Sequence, residues 1–342
     1  MNNSVISIDL AKNVFQVCVF DEHRKPIFNK KVTRAKLLET VMNQKPNRIV
    51  MEACYSANYW GREFLKLNRS VGLIPAYQVK PFVVGNKNDS NDAIAIGEAS
   101  YRPKMVFVPV KTIAQQDLQS LHRIRDRLVK ARTAVANQMR GLLSEYGIVI
   151  AKKIAVLRQE VPWVLEDPDQ PLSEVARSFV ADLYDELSVF DHKIKNKTLA
   201  LEALLKNNDD YQRLQEIPGI GPIVGSALIS AVGNAKQFKN GRNMSAWLGL
   251  TPKQYASGDN TRMGGMSKRG NRMLRKLFID GARAVVIWVE NKTDGFSLWI
   301  QALLMRRPRH KVLVAVANKI ARMAWAVLSK NEPYKAPGLV SV

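Results

Sequence analysis

Apolar and polar positions divide the chain into three stretches of different period. In the first, to about residue 110, short β-rich runs alternate with helical ones. Val5-Ile6-Ser7-Ile8-Asp9-Leu10 is followed, after Ala11-Lys12-Asn13, by a second β-rich run over 14–20. Residues 26–32 form a third candidate strand beyond the turn at Asp21-Glu22. Positions 37–44 have helical spacing, 48–52 read as a short buried strand, 59–67 as a second helix and 71–74 as a further strand. The order β-β-β-α-β-α-β predicts a mixed sheet with helices on its faces.

Residues 111–205 change period. Leu121, Ile124, Leu128, Ala131, Val135, Gln138 and Leu142 follow 3-4 spacing, as do Val180, Leu183, Leu187, Phe190, Ile194, Lys197, Leu201 and Leu204. A seven-residue apolar repeat keeps one seam turned to a partner helix and predicts a coiled coil, with Gln138 and Lys197 as polar members of the seam. Pro162 and the Asp167-Pro168-Asp169-Gln170-Pro171 stretch are expected to break helix between the two repeats. An antiparallel hairpin within one chain and helices contributed by several subunits both satisfy this pattern. The third stretch, 206–342, reads as helical, Gly-punctuated and basic, with a tail after Asn331 (Pro333, Pro337, Gly338) expected to fray.

Composition narrows the function. The 342 residues, enough for two or three domains, include 52 Lys and Arg against 30 Asp and Glu, a formal net charge of +22. Hydrophobic residues at 46% exclude a largely disordered chain. Two cysteines, Cys18 and Cys54, exclude a disulfide framework or a Cys-rich zinc ribbon and point to a reducing cytoplasm. The N-terminal residues lack the pattern of a secretion signal, and Lys319 and Arg322 interrupt the apolar run 312–328, which argues against a membrane span. So large a positive excess repels itself and points to a polyanionic partner that offsets it, the alternative being a merely soluble basic protein. Residues 206–342 hold 22 Lys and Arg against 8 Asp and Glu, which makes this stretch the stronger candidate for gripping phosphates.

Four carboxylates carry candidate chemistry. Asp9 stands in an apolar strand, where an ionised carboxylate is costly unless paired or bound to metal. Glu52 ends another apolar strand. Asp89 and Asp92, in Lys87-Asn88-Asp89-Ser90-Asn91-Asp92-Ala93, precede the helical run 93–99, and their i, i+3 spacing puts both on one helix face. Taken singly, Asp89 or Asp92 would serve as an N-cap and Glu52 as a surface strand end. Together, carboxylates from two strands and one helix start can converge at a sheet edge. Such oxygens suit Mg²⁺ or Mn²⁺, and two such ions can stabilise both the attacking and the leaving oxygen of a phosphodiester.

In the third stretch, Ile217-Pro218-Gly219-Ile220-Gly221-Pro222 lies between two helical runs. Gly219 and Gly221 there would let backbone N–H groups approach a phosphate, as in a helix-hairpin-helix element, or simply form an interhelical turn. Lys268, Arg269, Arg272, Arg275 and Lys276 mark a basic face beginning at Gly264-Gly265-Met266-Ser267-Lys268-Arg269-Gly270, with Leu274, Leu277 and Phe278 opposite. Ser257, in the Gly-flanked loop Tyr255-Ala256-Ser257-Gly258, could attack a phosphodiester if activated, although a loop serine is most often inert.

Together these motifs, with Met51-Glu52-Ala53-Cys54 and Leu248-Gly249-Leu250-Thr251-Pro252, resemble the DEDD transposases of bacterial insertion sequences. The resemblance is to insertion-sequence family 110, and Arg102-Pro103 with the helix 115–140 look closer to its 1111 subgroup. It implies a RuvC-like, RNase H-fold catalytic domain over 1–110, a helical coiled-coil region for oligomerisation over 111–205, and a mostly helical transposase domain with a helix-hairpin-helix over 206–342. By position, Asp9, Glu52, Asp89 and Asp92 take the metal-binding places and Ser257 the serine nucleophile, with Ser267 the fallback. The family further implies Mg²⁺ or Mn²⁺, double-stranded DNA partners, a structured bridging RNA and a dimer or tetramer without membrane attachment. On this reading the protein excises and inserts its own element through a phosphoserine intermediate in the bacterial cytoplasm, at the nucleoid. Alternatives are a RuvC-like junction nuclease using metal-activated water, or an architectural nucleic-acid binder. A sugar-kinase-like ATPase shares the opening strands but finds no adenosine-binding Gly motif here.

Overall fold

The computed structural model describes residues 4–86, 88–103, 105–258 and 260–336. The chain forms two compact units, Met1–Ala114 and Gln115–Val342.

The first unit is a five-stranded mixed sheet with helices on both faces. It comprises β1 (Val5–Asp9), β2 (Val14–Phe20), β3 (Pro26–Thr33), α1 (Leu37–Asn43), β4 (Arg48–Glu52), α2 (Ala57–Lys66), β5 (Ser70–Ile74), the short α3 (Ala76–Val79) and α4 (Asp89–Ser100). The strand order is β3-β2-β1-β4-β5; β2 runs antiparallel to both β1 and β3, while β1–β4 and β4–β5 are parallel. Alternation sorts the strands' side chains by face. Ile6, Ile8, Phe15, Val17, Ile49 and Met51 pack with Leu37, Val41, Trp60 and Phe64 of α1 and α2. Val5, Val50 and Ile74 pack instead with Ala95, Ile96 and Ala99 of α4. Full burial of a side chain such as Phe15 or Ile8 contributes about 1.5–3 kcal/mol each. α4 lies close to the sheet because Gly97 has no side chain: a Cβ there would stand 2.1 Å from the Phe20 ring. At the β5 edge, the Val108 N–H donates to the Leu73 carbonyl (2.7 Å), which pairs a strand edge otherwise left open.

The second unit is mostly helical. Its first three helices are α5 (Ile113–Glu145), α6 (Ile154–Glu166) and α7 (Glu174–Leu205). α5 and α7 run antiparallel within one chain, joined by Arg125 to Thr198 (2.9 Å) and Arg132 to Asp191 (2.9 Å). Arg158 of α6 donates to the second oxygen of the same Asp191 (2.7 Å). On α7 the seven-residue spacing holds, with Val180, Leu187, Ile194 and Leu201 buried; at its end Leu205 is buried and Leu204 exposed. On α5 the expected seam is displaced. Leu118, His122, Leu128, Val135, Met139 and Leu143 are buried, whereas Gln138 and Ile124 face solvent. An α-helix with 3.6 residues per turn drifts away from a strict heptad, and α6 gives α5 a second neighbour to cover.

Pro162 does not break helix; it lies inside α6. Its missing N–H frees the carbonyl of Arg158, four residues back, and the Tyr184 hydroxyl donates to that oxygen (3.1 Å). The break falls at 167–173. There the Arg177 guanidinium donates to the carbonyls of Leu165 (2.9 Å) and Asp167 (2.7 Å) and so caps the end of α6.

The remaining elements are α8 (Asp209–Gln215), α9 (Pro222–Val232), α10 (Gly241–Trp247), β6 (Pro252–Ser257), β7 (Asn260–Met266), α11 (Arg272–Ile287), α12 (Gly295–Arg306) and α13 (Arg309–Lys330). Among the described helices, α13 alone is long and apolar enough to cross a membrane by composition. Its stripe Val312, Val316, Ile320 and Ala324 is buried in the core with Leu274, Phe278 and Ala282 of α11. After α13 the tail does not fray at once: the Tyr334 N–H donates to the Glu216 carboxylate (3.2 Å) and its ring packs on the core. Pro337 and Gly338 lie outside the described residues.

The β6–β7 hairpin is the element the sequence pattern did not announce. Every residue of β6 is exposed, so no alternation of apolar and polar positions marks it. A signal was available in Gly258-Asp259, two turn-forming residues between short runs. Gly258 has φ +56° and Asp259 lies outside the described residues.

Candidate active site

Asp9 shares strand parity with Val5 and Ser7, so it faces α4. The Ser7 hydroxyl donates to the carbonyl of Ala93 on that helix (2.6 Å), entirely buried. Glu52 shares parity with Val50, which packs against α4 as well. Because β1 and β4 are parallel with Ile8 opposite Met51, the next residues along, Asp9 and Glu52, emerge side by side at the carboxyl ends of two neighbouring strands.

α4 begins at the same edge. Asn88 is its N-cap, with the side-chain oxygen accepting the Asn91 N–H at 2.8 Å. Asp89 and Asp92 are therefore released from capping and occupy the first turn, where the helix dipole favours negative charge.

The electrostatics register all four groups. Burial pushes the Asp9 carboxyl up to about 6, and the charges of Asp92, Asp89 and Glu52 push the same way, against a lowering backbone hydrogen bond at Leu10. The Cys54 thiol is pushed up to about 11 by burial and by Glu52 and Asp9, so it stands beside the same charges as an unreactive neutral group. Lys31 approaches Asp89 at 3.5 Å, with both side chains exposed.

Polar side chains that the sequence reading left out hold this edge together. Gln16, 6% exposed and paired in register with Asp9, donates through Nε2 to Asn29 Oδ1 (2.6 Å). Asn29 in turn donates to the Ser90 hydroxyl oxygen (2.7 Å), pinning the first turn of α4 to β2 and β3. The signal for Gln16 was a lone amide in an otherwise apolar strand. Its Oε1 is buried without a donor, so the site is rich in hard oxygen acceptors. Among the described residues, no three His, Cys, Asp or Glu side chains stand close enough as placed to hold one ion. The donor set fits Mg²⁺ or Mn²⁺ by chemistry and by its excess negative charge, and ligation requires the side chains to draw inward.

In the second unit, Ser257 ends β6 opposite Asn260 of β7 and is exposed. The base of this hairpin is clamped backbone to backbone. A Cβ on Gly249 (φ +73°) would meet the Arg269 carbonyl oxygen at 2.0 Å, and one on Gly270 (φ +84°) the Trp247 carbonyl oxygen at 1.8 Å. Ser267 N–H donates to the Thr251 carbonyl (2.8 Å), while its hydroxyl is buried without a partner. Arg275 donates to the carbonyls of Leu248 (3.1 Å) and Arg269 (3.0 Å), so its guanidinium ties the two segments together. Lys268, Arg269, Arg272 and Lys276 are exposed.

The turn 217–222 does join two helices, α8 and α9. Gly219 (φ +89°) presses against α11, its carbonyl 2.1 Å from where a Cβ on Gly281 would sit, whereas the position of a Cβ on Gly221 is open space.

Comparison with known proteins assigns the chain. A family model for DEDD transposases of the IS110 kind, described as a transposase, matches residues 6–148, and the model of the transposase IS116/IS110/IS902 family matches residues 211–296. The transposase for insertion sequence element IS1111A of Coxiella burnetii is 44% identical over 97% of this chain and 91% of its own length. A probable family 20 transposase of Pseudomonas aeruginosa is 44% identical over 99% of this chain and 100% of its own. The transposase for insertion sequence element IS1328 of Yersinia enterocolitica is 35% identical, covering 96% and 98%. With carboxylates gathered at one sheet edge and this similarity along nearly the whole chain, the protein belongs to the IS110 family of DEDD transposases.

Proposed function

We propose that Asp9, Glu52, Asp89 and Asp92 form the strand-cleavage centre with which this transposase excises and inserts its own element. The observation that carries the reading is the placement of Asp9 and Glu52 at the carboxyl ends of the parallel neighbours β1 and β4, with Asp89 and Asp92 in the first turn of α4, which packs on that face; burial and these charges raise the Asp9 carboxyl in keeping with it. Mg²⁺ or Mn²⁺, when bound, would neutralise this charge and polarise the scissile phosphate as a Lewis acid. Asp9 and Glu52 would hold the ion from rigid strands, and Asp89 and Asp92 from the start of α4. The Gln16–Asn29–Ser90 chain ties that helix start to β2 and β3, which would hold Asp89 and Asp92 on the same side of the sheet as Asp9.

The finer steps rest on the family resemblance. Ser257 Oγ attacks phosphorus; a P–O bond to the serine forms, the bond to the leaving sugar oxygen breaks, and the serine proton passes to that oxygen through a base. A second sugar hydroxyl reverses the step and rejoins strands without an external energy source. The exposed hairpin supports the role by presenting Ser257 from a clamped base. We assign an RNase H-like catalytic domain to 1–110, an oligomerisation region to 111–205 and the serine domain to 206–342. The partners are double-stranded DNA and a structured bridging RNA, in a dimer or tetramer; the +22 charge supports such polyanions.

Incubation with element-end DNA, the element's own structured RNA and Mg²⁺, quenched in denaturant, tests the reading. The expected result is a covalent protein–DNA adduct, lost in Ser257→Ala and in Asp9→Asn. Cleavage without an adduct would instead indicate attack by water, as in a junction nuclease. Cleavage by Asp9→Asn at the parent rate would remove the carboxylates from the mechanism.

A further inference from the structure

The second unit carries a cationic groove away from the turn at 217–222 and from the α11 basic face. It is a cavity of about 530 Å³ between the start of α10 and the middle of α13, within the range of roughly 300–1,000 Å³ of ligand sites. Lys319, Arg322 and Lys330 line it from α13 and Arg242 from α10, with no carboxylate in the lining. Positions 319, 322, 323, 326 and 330 recur at helical spacing and form a face of α13 beside its buried stripe, so cations and core share one helix.

None of the four cations takes part in an ion pair among the described residues; every acid that forms one is paired elsewhere, including Glu332, near the Lys330 end, with Lys335 at 3.5 Å. Lys319 lies 4.0 Å from the centre of the Trp299 ring and 5.5 Å from that of Phe296, which holds its ammonium in place. Burial, then Arg322, lowers its pKa, as expected of a partly buried cation beside a like charge. The floor is apolar: Met323 and Trp325 line it, and the Trp325 Nε1–H is already spent on the Phe238 carbonyl (3.1 Å). Four unbalanced cations around an apolar floor match an anion joined to a flat or apolar body. Within a nucleic-acid strand that unit is a phosphate with its sugar and base.

We propose that this groove holds one nucleotide unit of a nucleic-acid strand, its phosphate among Arg242, Lys319, Arg322 and Lys330 and its sugar and base against Met323 and Trp325. The inference rests on nucleic acid being the partner of this transposase and does not depend on the carboxylate chemistry.

The test uses the full chain and fluorescent single-stranded DNA and RNA oligonucleotides, titrated over a range of salt. Arg322 and Lys330 are exposed, so Arg322→Gln with Lys330→Gln should fold as the parent does, checked by its thermal melt. The pair should bind about tenfold more weakly, with a salt slope smaller by about 1–2. Iodouridine-substituted strands, irradiated on the parent, should attach to the peptide holding Met323 and Trp325. The strand type that does so more efficiently identifies DNA or RNA as the occupant. Unchanged affinity and slope in the double variant, with no attachment to that peptide, would overturn the proposal. If the parent binds both strands and the double variant binds them equally well, the groove alone has failed; if the parent binds neither strand, the nucleic-acid reading itself has failed.

Discussion

Replacing Asp9 by Asn removes one charge from the carboxylate edge and changes almost no volume, so its effect on stability measures the electrostatic cost of the site. The Asp9 carboxyl is raised from 3.8 to about 6. A shift of that size corresponds to ~3 kcal/mol of unfavourable interaction for the ionised form, which solvent screening of a half-exposed group reduces to ~1–2 kcal/mol. Between pH 4 and pH 6 the folded protein keeps a proton that the unfolded chain releases. The stabilisation from protonated Asp9 is therefore complete below about pH 4 and lost as pH rises through about 6. Without divalent ions, Asp9→Asn should be more stable than the parent by ~1–2 kcal/mol at pH 7.5 and equal to it near pH 4. Hydrogen exchange of β1 and β4 peptides reads this locally, separating it from unfolding of the second unit. Added Mg²⁺ should then protect the parent and leave the variant nearly unaffected. Parallel pH profiles for the two proteins, or a variant less stable at pH 7.5, would show that burial and neighbouring charge do not disfavour the ionised Asp9.

His122, 3% exposed, meets the Ser226 hydroxyl at 3.0 Å, and burial, then Arg125, holds its ring down to about 4, so it is neutral when folded. The unfolded chain takes up the proton first, so the second unit should lose ~2 kcal/mol between pH 7 and pH 5, a slope absent from His122→Gln in urea melts. Tyr184→Phe leaves the Arg158 carbonyl freed by Pro162 without a donor and should cost about 1 kcal/mol, read as a lower melting temperature. Gly270→Ala would put a methyl 1.8 Å from the Trp247 carbonyl oxygen at φ +84°, and should cost at least ~3 kcal/mol. Hydrogen exchange should place that damage at residues 247–275 and spare α5 and α7. Ser257→Ala should abolish the covalent adduct while oligonucleotide affinity stays within about twofold, since one exposed hydroxyl contributes little to polyanion binding.

Local pattern alone determined the five strands of the first unit, their order along the chain and the faces they present. Period two puts Asp9 on the side of Val5 and Ser7 whatever they meet there, and the i, i+3 spacing aligns Asp89 with Asp92 before any helix is packed. The seven-residue spacing likewise placed Val180, Leu187, Ile194 and Leu201 in a core. Only the tertiary structure decided which surfaces meet. It made β4 the parallel neighbour of β1, so that Glu52 comes beside Asp9, and it gave the N-cap of α4 to Asn88, which leaves two aspartates for the site. It kept Pro162 inside a helix because Tyr184, distant in sequence, supplies the missing donor. It turned Gly219 toward α11, and it built a hairpin of exposed residues on a base where Gly249 and Gly270 allow two backbones to touch. Periodicity is a property of neighbours along the chain and encodes which side of an element is apolar. The partner that satisfies a carbonyl, crowds a carboxylate or excludes a Cβ comes from far along the chain, and no local pattern contains it.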